Sequence, residues 1–264
     1  MKKEISFKNS KGQTLRGDLY VPEEKYKLKY PAVIVCHGLA GNKDAKNKVD
    51  LAEELFKNGF LVLKFDFHGH GKSEGEFHDI NLTQEIDDAK SAITALYSLR
   101  EVDKKNLGLV GHSFGGAVTI MMAATDSRVK SAVSIAGVID MIRPLNNYAG
   151  TKRVKKWKEL DKIEVEPGMS LKYSFIEDFN KYDILSYAKK IKIPFLVING
   201  TKDYSVGMNQ AKAIATAARA QLVTVNEDHN FGRESITAAV NWFNKTLRQR
   251  RIKDSAGLKL KNLR

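Results

Sequence analysis

Short, nearly all-apolar runs alternate along the chain with longer stretches in which apolar residues recur at helical spacing. The short runs are four to six residues long and rich in β-branched side chains, which is typical of strands buried on both faces of a parallel sheet. The predicted central strands are Pro31–Cys36, Phe60–Phe65, Asn106–Val110, Ser131–Ile135, Phe195–Ile198 and Gln221–Val225.

The longer stretches between these strands predict amphipathic helices, in which an apolar stripe faces the sheet. The predicted helices are Asp44–Asn58, Leu82–Leu99, Phe114–Ala124, Met208–Ala218 and Arg233–Leu247. Strands that alternate with helices in this way indicate an α/β fold, with a mostly parallel central sheet flanked by helices.

Two segments depart from the alternation. Glu4–Val21, with Asn9-Ser10-Lys11-Gly12 at its centre, predicts an antiparallel hairpin at one edge of the sheet. Residues 141–187 contain no clean strand–helix unit but carry several large aromatic side chains. Because a structureless loop of that length is uncommon in a compact domain, we predict that 141–187 is a small cap inserted into a single domain spanning residues 1–264.

Charge adds a surface feature to this picture. The chain has 264 residues, is 42% hydrophobic and 28% charged, and carries a net charge of +13. Much of the positive excess lies in 152–162 and in a basic C-terminal tail, 248–264. Without a module that reads bases, such patches indicate a solvated surface and no nucleic-acid partner. An electrostatic contact with a membrane surface or an anionic substrate stays open as the alternative. Three interpretations of the tail stay open: a frayed helix end, a contact in a homo-oligomer, or a solubilising segment.

Two further features bear on the cellular compartment. No apolar run reaches the ~18 residues that a membrane-spanning helix needs, and the start of the chain lacks the apolar core of a secretory signal. The single cysteine, Cys36, lies in a predicted buried strand, where a free thiol suits a reducing environment. We therefore expect a cytoplasmic protein with no integral membrane segment and no internal disulfide.

The candidate chemistry centres on a serine between glycines. Gly111-His112-Ser113-Phe114-Gly115 joins a predicted strand to an apolar helix and matches the nucleophile-elbow pattern G-x-S-x-G. In so tight a turn, side chains two residues before and after the serine would collide, so both positions are glycine. We predict that Ser113 is a nucleophile; the alternative is a glycine-rich turn with an idle serine. The neighbouring His112 is expected to pack against the loop after Cys36.

A serine nucleophile needs a base and an acid, which in this architecture follow it in the order acid, then histidine. Of the six histidines only His229 comes after Ser113, just beyond the last predicted strand. Its imidazole can accept the serine proton, and a carboxylate can hold the imidazole in the required tautomer. Asp203 follows the fifth predicted strand and is the preferred acid. Asp140 and Asp228 are the alternatives.

Acyl transfer also needs hydrogen-bond donors aimed at the oxygen that becomes negative. The backbone N–H of Phe114 is one candidate, because this residue follows the nucleophile. The second is expected from the loop His37–Lys43, with Leu39 as the donor. The side chains of Leu39 and Phe114 are both expected to line the pocket.

The remaining histidines are expected to order loops or to lie exposed. His68 and His70 lack a third ligand at suitable spacing, so we predict no metal site.

Three stretches together resemble a known family. His37-Gly38-Leu39-Ala40-Gly41-Asn42-Lys43, the glycine-rich segment from Phe65 to Phe77, and Gly111-His112-Ser113-Phe114-Gly115-Gly116 are similar to the α/β-hydrolase superfamily. More narrowly, the chain resembles bacterial cinnamoyl (feruloyl) esterases and related small carboxylesterases over about Pro31–Leu247. The resemblance implies an α/β-hydrolase fold, a pocket shaped by the insertion, and no cofactor. It also implies a triad of Ser113, Asp203 and His229, with Leu39 and Phe114 as oxyanion-hole donors.

The resemblance implies a function as well. We expect a serine carboxylesterase that hydrolyses small-molecule esters with short-chain or aromatic acyl groups through an acyl-enzyme on Ser113. The same triad also serves peptidases or amidases, thioesterases and monoacylglycerol lipases, and the fold does not separate these activities. A binding protein with an unused triad is a third hypothesis, against which the complete serine–acid–histidine order argues.

Overall fold

The computed structural model describes the backbone of residues 1–23 and 29–261 and the side chains of these ranges as far as residue 247. Its strands are β1 (Lys2–Lys8), β2 (Thr14–Tyr20), β3 (Tyr30–Cys36), β4 (Leu61–Phe65), β5 (Val102–His112), β6 (Ser131–Ile135), β7 (Lys162–Glu166), β8 (Met169–Lys172), β9 (Phe195–Gly200) and β10 (Gln221–Val225). Eight of them form one sheet in the order β1-β2-β4-β3-β5-β6-β9-β10, and β7 pairs with β8 separately.

The sheet is parallel from β4 to β10, and the antiparallel hairpin β1–β2 lies at its edge. The α/β prediction, the edge hairpin and the predicted central strands are therefore confirmed. The strands β6 and β10 have the predicted bounds, whereas β5 begins at Val102 instead of Asn106. Parallel strands end at a common edge, and β5, β9 and β10 each lead into a loop with a candidate residue.

The helices are α1 (Lys46–Lys57), α2 (Leu82–Ser98), α3 (Phe114–Thr125), α4 (Ile142–Ala149), α5 (Thr151–Lys155), α6 (Trp157–Leu160), α7 (Ser174–Phe179), α8 (Ile184–Ala188), α9 (Met208–Ala218) and α10 (Arg233–Lys261), with a short 3-10 helix at Phe77–Asp79. An apolar cluster that includes Leu51, Leu55 and Phe243 joins α1 and α10 to one face of the sheet. A second cluster joins α2, α3, α8 and α9 to the opposite face.

The last helix is longer than predicted. The prediction ended it at Leu247, but α10 continues to Lys261, because the residues beyond 247 are mostly good helix formers and include no proline. The side chains of the basic tail 248–264 lie outside the described residues, so its three interpretations stay predictions. Within the described part of the chain, no helix combines the length and apolar character that a bilayer crossing requires.

The segment between β6 and β9 contains α4 to α8 and the hairpin β7–β8. Three of its aromatic side chains, Trp157, Phe175 and Phe179, are buried. Trp157 is 1% exposed and donates a hydrogen bond from Nε1 to the Leu171 carbonyl at 3.0 Å. The ring of Phe175 lies 5.2 Å from that of Phe114, at the start of α3. These contacts anchor the segment on the sheet domain and support our proposal that 141–187 is an inserted cap.

Candidate active site

The candidate nucleophile lies on a strained turn between β5 and α3. Ser113 has φ 55° and ψ −115°, a conformation that non-glycine residues adopt rarely and at a cost of about 1–3 kcal/mol. A Cβ atom on Gly111 would come within 2.0 Å of the Gly115 carbonyl oxygen, and one on Gly115 within 2.2 Å of the His37 carbonyl oxygen. Both flanking positions therefore require glycine, as the sequence pattern predicts.

The structure brings Ser113, His229 and Asp203 into one hydrogen-bonded chain. His229 Nε2 lies 3.1 Å from Ser113 Oγ, and His229 Nδ1 lies 3.0 Å from Asp203 Oδ2. Because an ionised carboxylate only accepts hydrogen bonds, Nδ1 carries the ring proton and Nε2 presents its lone pair to the serine hydroxyl. This is the arrangement in which an imidazole can act as a general base toward a hydroxyl.

Asp203 is held by the loop that follows β9. Its Oδ1 accepts hydrogen bonds from the backbone N–H groups of Ser205 and Val206, both at 3.0 Å. Burial would raise the pKa of Asp203, but the hydrogen bonds from His229, Val206 and Ser205 outweigh it and hold the pKa below its usual value. The carboxylate is therefore ionised at neutral pH and can stabilise an imidazolium at His229.

The two alternative acids are engaged elsewhere. Asp140 Oδ1 accepts a hydrogen bond from the backbone N–H of Ile142 at the start of α4. Asp228 Oδ1 accepts one from the backbone N–H of Asn230. Both carboxylates order their own turns, and the imidazole of His229 is hydrogen-bonded to Asp203 instead.

A cavity of about 300 Å³ opens beside Ser113. Its wall includes the loop 38–41 and the side chains of Lys48, Tyr148 and Glu166. Within the described residues, the N–H groups of Leu39 and Phe114 donate to no hydrogen bond in the protein. Both are therefore free to bind an oxygen in this region. We propose them as the oxyanion-hole donors.

One expectation about the pocket is wrong. Leu39 lines the cavity, but the side chain of Phe114 is fully buried and is absent from the cavity wall. Its ring packs against Phe175 and Phe179, with centroid distances of 5.2 and 6.1 Å. The first turn of α3 thus turns this side chain toward α7, so only its backbone faces the reacting group.

The predicted loop-ordering roles fit the contacts of His37 and His70. His37 Nδ1 donates to the Gly38 carbonyl and Nε2 accepts from the Phe67 N–H, while His70 Nδ1 donates to the His68 carbonyl. Burial lowers the pKa of both His37 and His70 to about 3, so both rings are neutral. No group of three or more histidine, cysteine or acidic side chains suited to a metal occurs within the described residues.

Lys48 was not predicted to belong to the site, but it lines the cavity. Its Nζ lies 2.9 Å from His112 Nδ1, and His112 Nε2 lies 2.7 Å from the carbonyl oxygen of His229. His112 packs beside Gly38 as predicted, but its hydrogen bonds were not foreseen. A signal was present, because Lys48 falls on the buried stripe of α1 with Leu51 and Leu55, where an apolar residue is expected.

Comparison with known proteins agrees with this fold. A family model described as the α/β hydrolase fold matches residues 31–161. A structure of Est1E from Butyrivibrio proteoclasticus with ferulic acid bound is 22% identical, has a TM-score of 0.81, and is matched over 92% of this chain and 98% of that one. The α/β hydrolase GrgF from Penicillium sp. is 23% identical with a TM-score of 0.77, over 94% and 99% of the two chains.

Curated relatives match a shorter region. The thiohydrolase aneE of Aspergillus aculeatus is 34% identical over 139 residues, which are 52% of this chain and 42% of that protein. The polyketide transferase grgF of Penicillium sp. is 34% identical over 138 residues, or 52% and 45%. The chain thus spans less than half the length of these two relatives. From its sheet order, its strained serine turn and these matches, the chain has the α/β-hydrolase fold.

Proposed function

We propose that the protein is a serine hydrolase that cleaves small-molecule carboxylic esters through an acyl-enzyme on Ser113. The observation that carries this proposal is the chain of hydrogen bonds from Asp203 through His229 to Ser113, beside the cavity. A hydroxyl, an imidazole and a buried carboxylate in this order form the standard machinery of acyl transfer.

In the first half-reaction, Ser113 Oγ attacks the ester carbonyl carbon while His229 Nε2 takes the hydroxyl proton. The carbonyl oxygen becomes negative and accepts hydrogen bonds from the N–H groups of Leu39 and Phe114. When the tetrahedral intermediate collapses, the bond to the alcohol oxygen breaks and His229 returns its proton to that oxygen. The alcohol leaves, and the acyl group stays on Ser113.

In the second half-reaction, water takes the place of the alcohol. His229 Nε2 removes a proton from the water as its oxygen attacks the acyl carbon. Collapse of the second intermediate breaks the bond to Ser113 Oγ, which recovers its proton from His229, and the carboxylic acid is released. Asp203, ionised throughout, stabilises the imidazolium that forms in both steps. The sequence of steps consumes only ester and water, so no cofactor is needed.

The cavity bears on the acyl group. A volume of about 300 Å³ suits a short-chain or single-ring acyl group, and its wall mixes apolar Leu39 and Ala45 with polar side chains. Tyr148 and Glu166 come from the 141–187 segment, which supports the proposal that this cap shapes the pocket. Ferulic acid, the aromatic acid bound in the Est1E structure, supports an aromatic acyl group as one candidate.

A thioester substrate is the second candidate. Two relatives that share 34% identity with this chain over about half its length are a thiohydrolase and a polyketide transferase. The same serine nucleophile can attack a thioester carbonyl with the same base and acid.

The free, buried thiol of Cys36 suits a reducing compartment. We therefore propose a cytoplasmic location for either activity.

The test compares three substrates with one acyl group: a p-nitrophenyl ester, the matching thioester and the matching anilide. We expect kcat/KM to be largest for the ester, and Ser113→Ala to lower it roughly 10⁴-fold or more with thermal unfolding nearly unchanged. The exposed Ser98→Ala serves as the control and should behave like the wild-type protein. Retained turnover in Ser113→Ala would contradict the proposal, and faster thioester turnover would favour the second candidate.

A further inference from the structure

Lys48 occupies a position that disfavours a lysine in several ways. Its side chain is only 5% exposed, on the buried stripe of α1. It lies in the first turn of the helix, where the helix dipole opposes a positive charge. No carboxylate of the described residues lies within ion-pair distance of it. A buried charge without an ionic partner is costly, so a role other than stability is needed to explain this lysine.

The contacts of Lys48 lead to the candidate active site. Its Nζ lies 2.9 Å from His112 Nδ1 and 5.0 Å from the centre of the Phe231 ring. Its charge acts on two neighbouring imidazoles, those of His112 and His37, and lowers the pKa of both. Burial lowers the pKa of Lys48 to about 7, and burial together with Lys48 lowers the pKa of His112 well below its usual value. The His112 ring is therefore neutral and carries one proton.

The hydrogen-bond partners determine where that proton lies. His112 Nε2 is 2.7 Å from the carbonyl oxygen of His229, and a carbonyl oxygen only accepts. Nε2 therefore carries the proton and donates it to that carbonyl, which leaves Nδ1 as an acceptor for Lys48 Nζ. The chain of donors has one direction, from the amine of Lys48 to the imidazole of His112 to the backbone of His229.

A second bond from α1 reaches the same loop. Asn47 Nδ2 donates to the carbonyl oxygen of Asn230 at 2.9 Å. Asn47 thus bonds directly to the Asn230 carbonyl, and Lys48 is linked through His112 to the His229 carbonyl. These two carbonyl groups belong to consecutive residues in the loop after β10. Asp203 orients the imidazole of His229, whereas these bonds fix the backbone from which that imidazole projects.

We propose that Lys48 and His112 are positioning residues that fix the backbone of His229 and thereby hold its Nε2 within reach of the Ser113 hydroxyl. The proposal rests on the proposed function, because it assigns the pair a role through the general base. Misplacement of a reacting group by about 1 Å can cost 10²-fold in rate. The pair therefore contributes to kcat without touching the substrate carbonyl.

The test uses four single variants. Lys48→Met and His112→Leu remove the chain of donors. His112→Gln keeps an amide N–H that can reach the His229 carbonyl. Lys46→Met, at a position 88% exposed on the same helix turn, is the matched control. The readouts are kcat and KM for a p-nitrophenyl ester, the rate of Ser113 modification by a fluorophosphonate, and the thermal unfolding midpoint.

We expect Lys48→Met and His112→Leu to lower kcat and the fluorophosphonate rate about 10-fold to 100-fold, with KM little changed. His112→Gln should lie closer to the wild-type protein, and Lys46→Met should match it. If Lys48→Met fails to fold, the comparison of kcat between His112→Gln and His112→Leu tests the proposal instead.

The proposal is overturned if Lys48→Met keeps the wild-type kcat, if the loss appears in KM alone, or if His112→Gln is as slow as His112→Leu. These results leave Ser113 as a nucleophile that the probe still labels. A wild-type protein that the probe does not label would instead overturn the proposed function, and the positioning role with it.

Discussion

Two buried lysines on neighbouring elements of this molecule have opposite surroundings. Lys64, on β4, is fully buried, and its Nζ lies 2.6 Å from Asp18 Oδ2 and 2.9 Å from Asp44 Oδ1. Burial would raise the pKa of Asp44, but hydrogen bonds from Lys43 and Lys64 outweigh it and lower the pKa to about 2. Around the paired strands β2 and β4, the buried charge of Lys64 thus has opposite charges beside it.

Lys48, on α1, has a histidine in place of a carboxylate. Burial lowers the pKa of its amine to about 7, and no carboxylate among the described residues offsets this shift. A satisfied ion pair such as Lys64–Asp18 is compatible with a purely structural role. A buried cation whose partner is neutral, and which connects to a candidate general base, has the features of a functional site. Lys64 therefore stabilises the fold, whereas we propose that Lys48 acts on the candidate active site.

Among single substitutions at a fixed pH, the largest expected effect on stability comes from breaking the structural pair. Asp18→Asn leaves Lys64 with Asp44 alone, so we expect the free energy of unfolding to fall by about 3 kcal/mol, near the lower end for an uncompensated buried charge. Denaturant titration measures this loss. The kcat of the folded variant should stay close to the wild-type value, since Asp18 lies outside the candidate active site. A fall in kcat without a fall in stability would erase the contrast between the two lysines.

The second prediction concerns pH and Lys48. The pKa of this amine is about 7 in the folded state against the ordinary 10.5 in the unfolded chain. Between these values the unfolded state binds more protons at this site, so the free energy of unfolding rises with pH. Relative to Lys48→Met, the wild-type protein should gain stability with pH by at most about 1.4 kcal/mol per pH unit.

Urea unfolding of both proteins across that pH range measures the difference in stability. If the free energy of unfolding depends on pH in the same way in the wild-type protein and in Lys48→Met, the pKa of Lys48 is not lowered by folding. The electrostatic difference between Lys48 and Lys64 would then be contradicted.

The smallest effect is expected from Asn47→Ala. This change removes one exposed hydrogen bond to the Asn230 carbonyl, so the free energy of unfolding should fall by about 0.5 kcal/mol. The loss in kcat should be smaller than for Lys48→Met, because Asn47 holds the residue after His229 and not His229 itself. Steady-state kinetics and thermal unfolding of the two variants side by side check this order. A larger loss of kcat in Asn47→Ala than in Lys48→Met would contradict the positioning role that we propose for Lys48.

Much of the fold could be predicted because local patterns determine it. The strands β6 and β10 and the helix α9 have the predicted bounds, since short apolar runs and amphipathic stripes are read directly from the sequence. The turn at Ser113 could also be predicted, because backbone contacts within the turn and next to β3 require glycine at positions 111 and 115.

The rest depends on contacts between distant residues. Lys48 and His112 are 64 residues apart, and His112 and His229 are 117 apart, so no local pattern connects them. The short helices of the 141–187 segment are below the length at which a helix is stable alone, and packing determines them. The same packing places Phe175 and Phe179 against Phe114, which is why the expected pocket role of that ring was wrong.

The most direct measurement is mass spectrometry of the protein after reaction with a fluorophosphonate. We expect a single adduct on the peptide that contains Ser113. It should form more slowly in His229→Ala and be absent from Ser113→Ala. An adduct on another residue, or none on the folded protein, would contradict it.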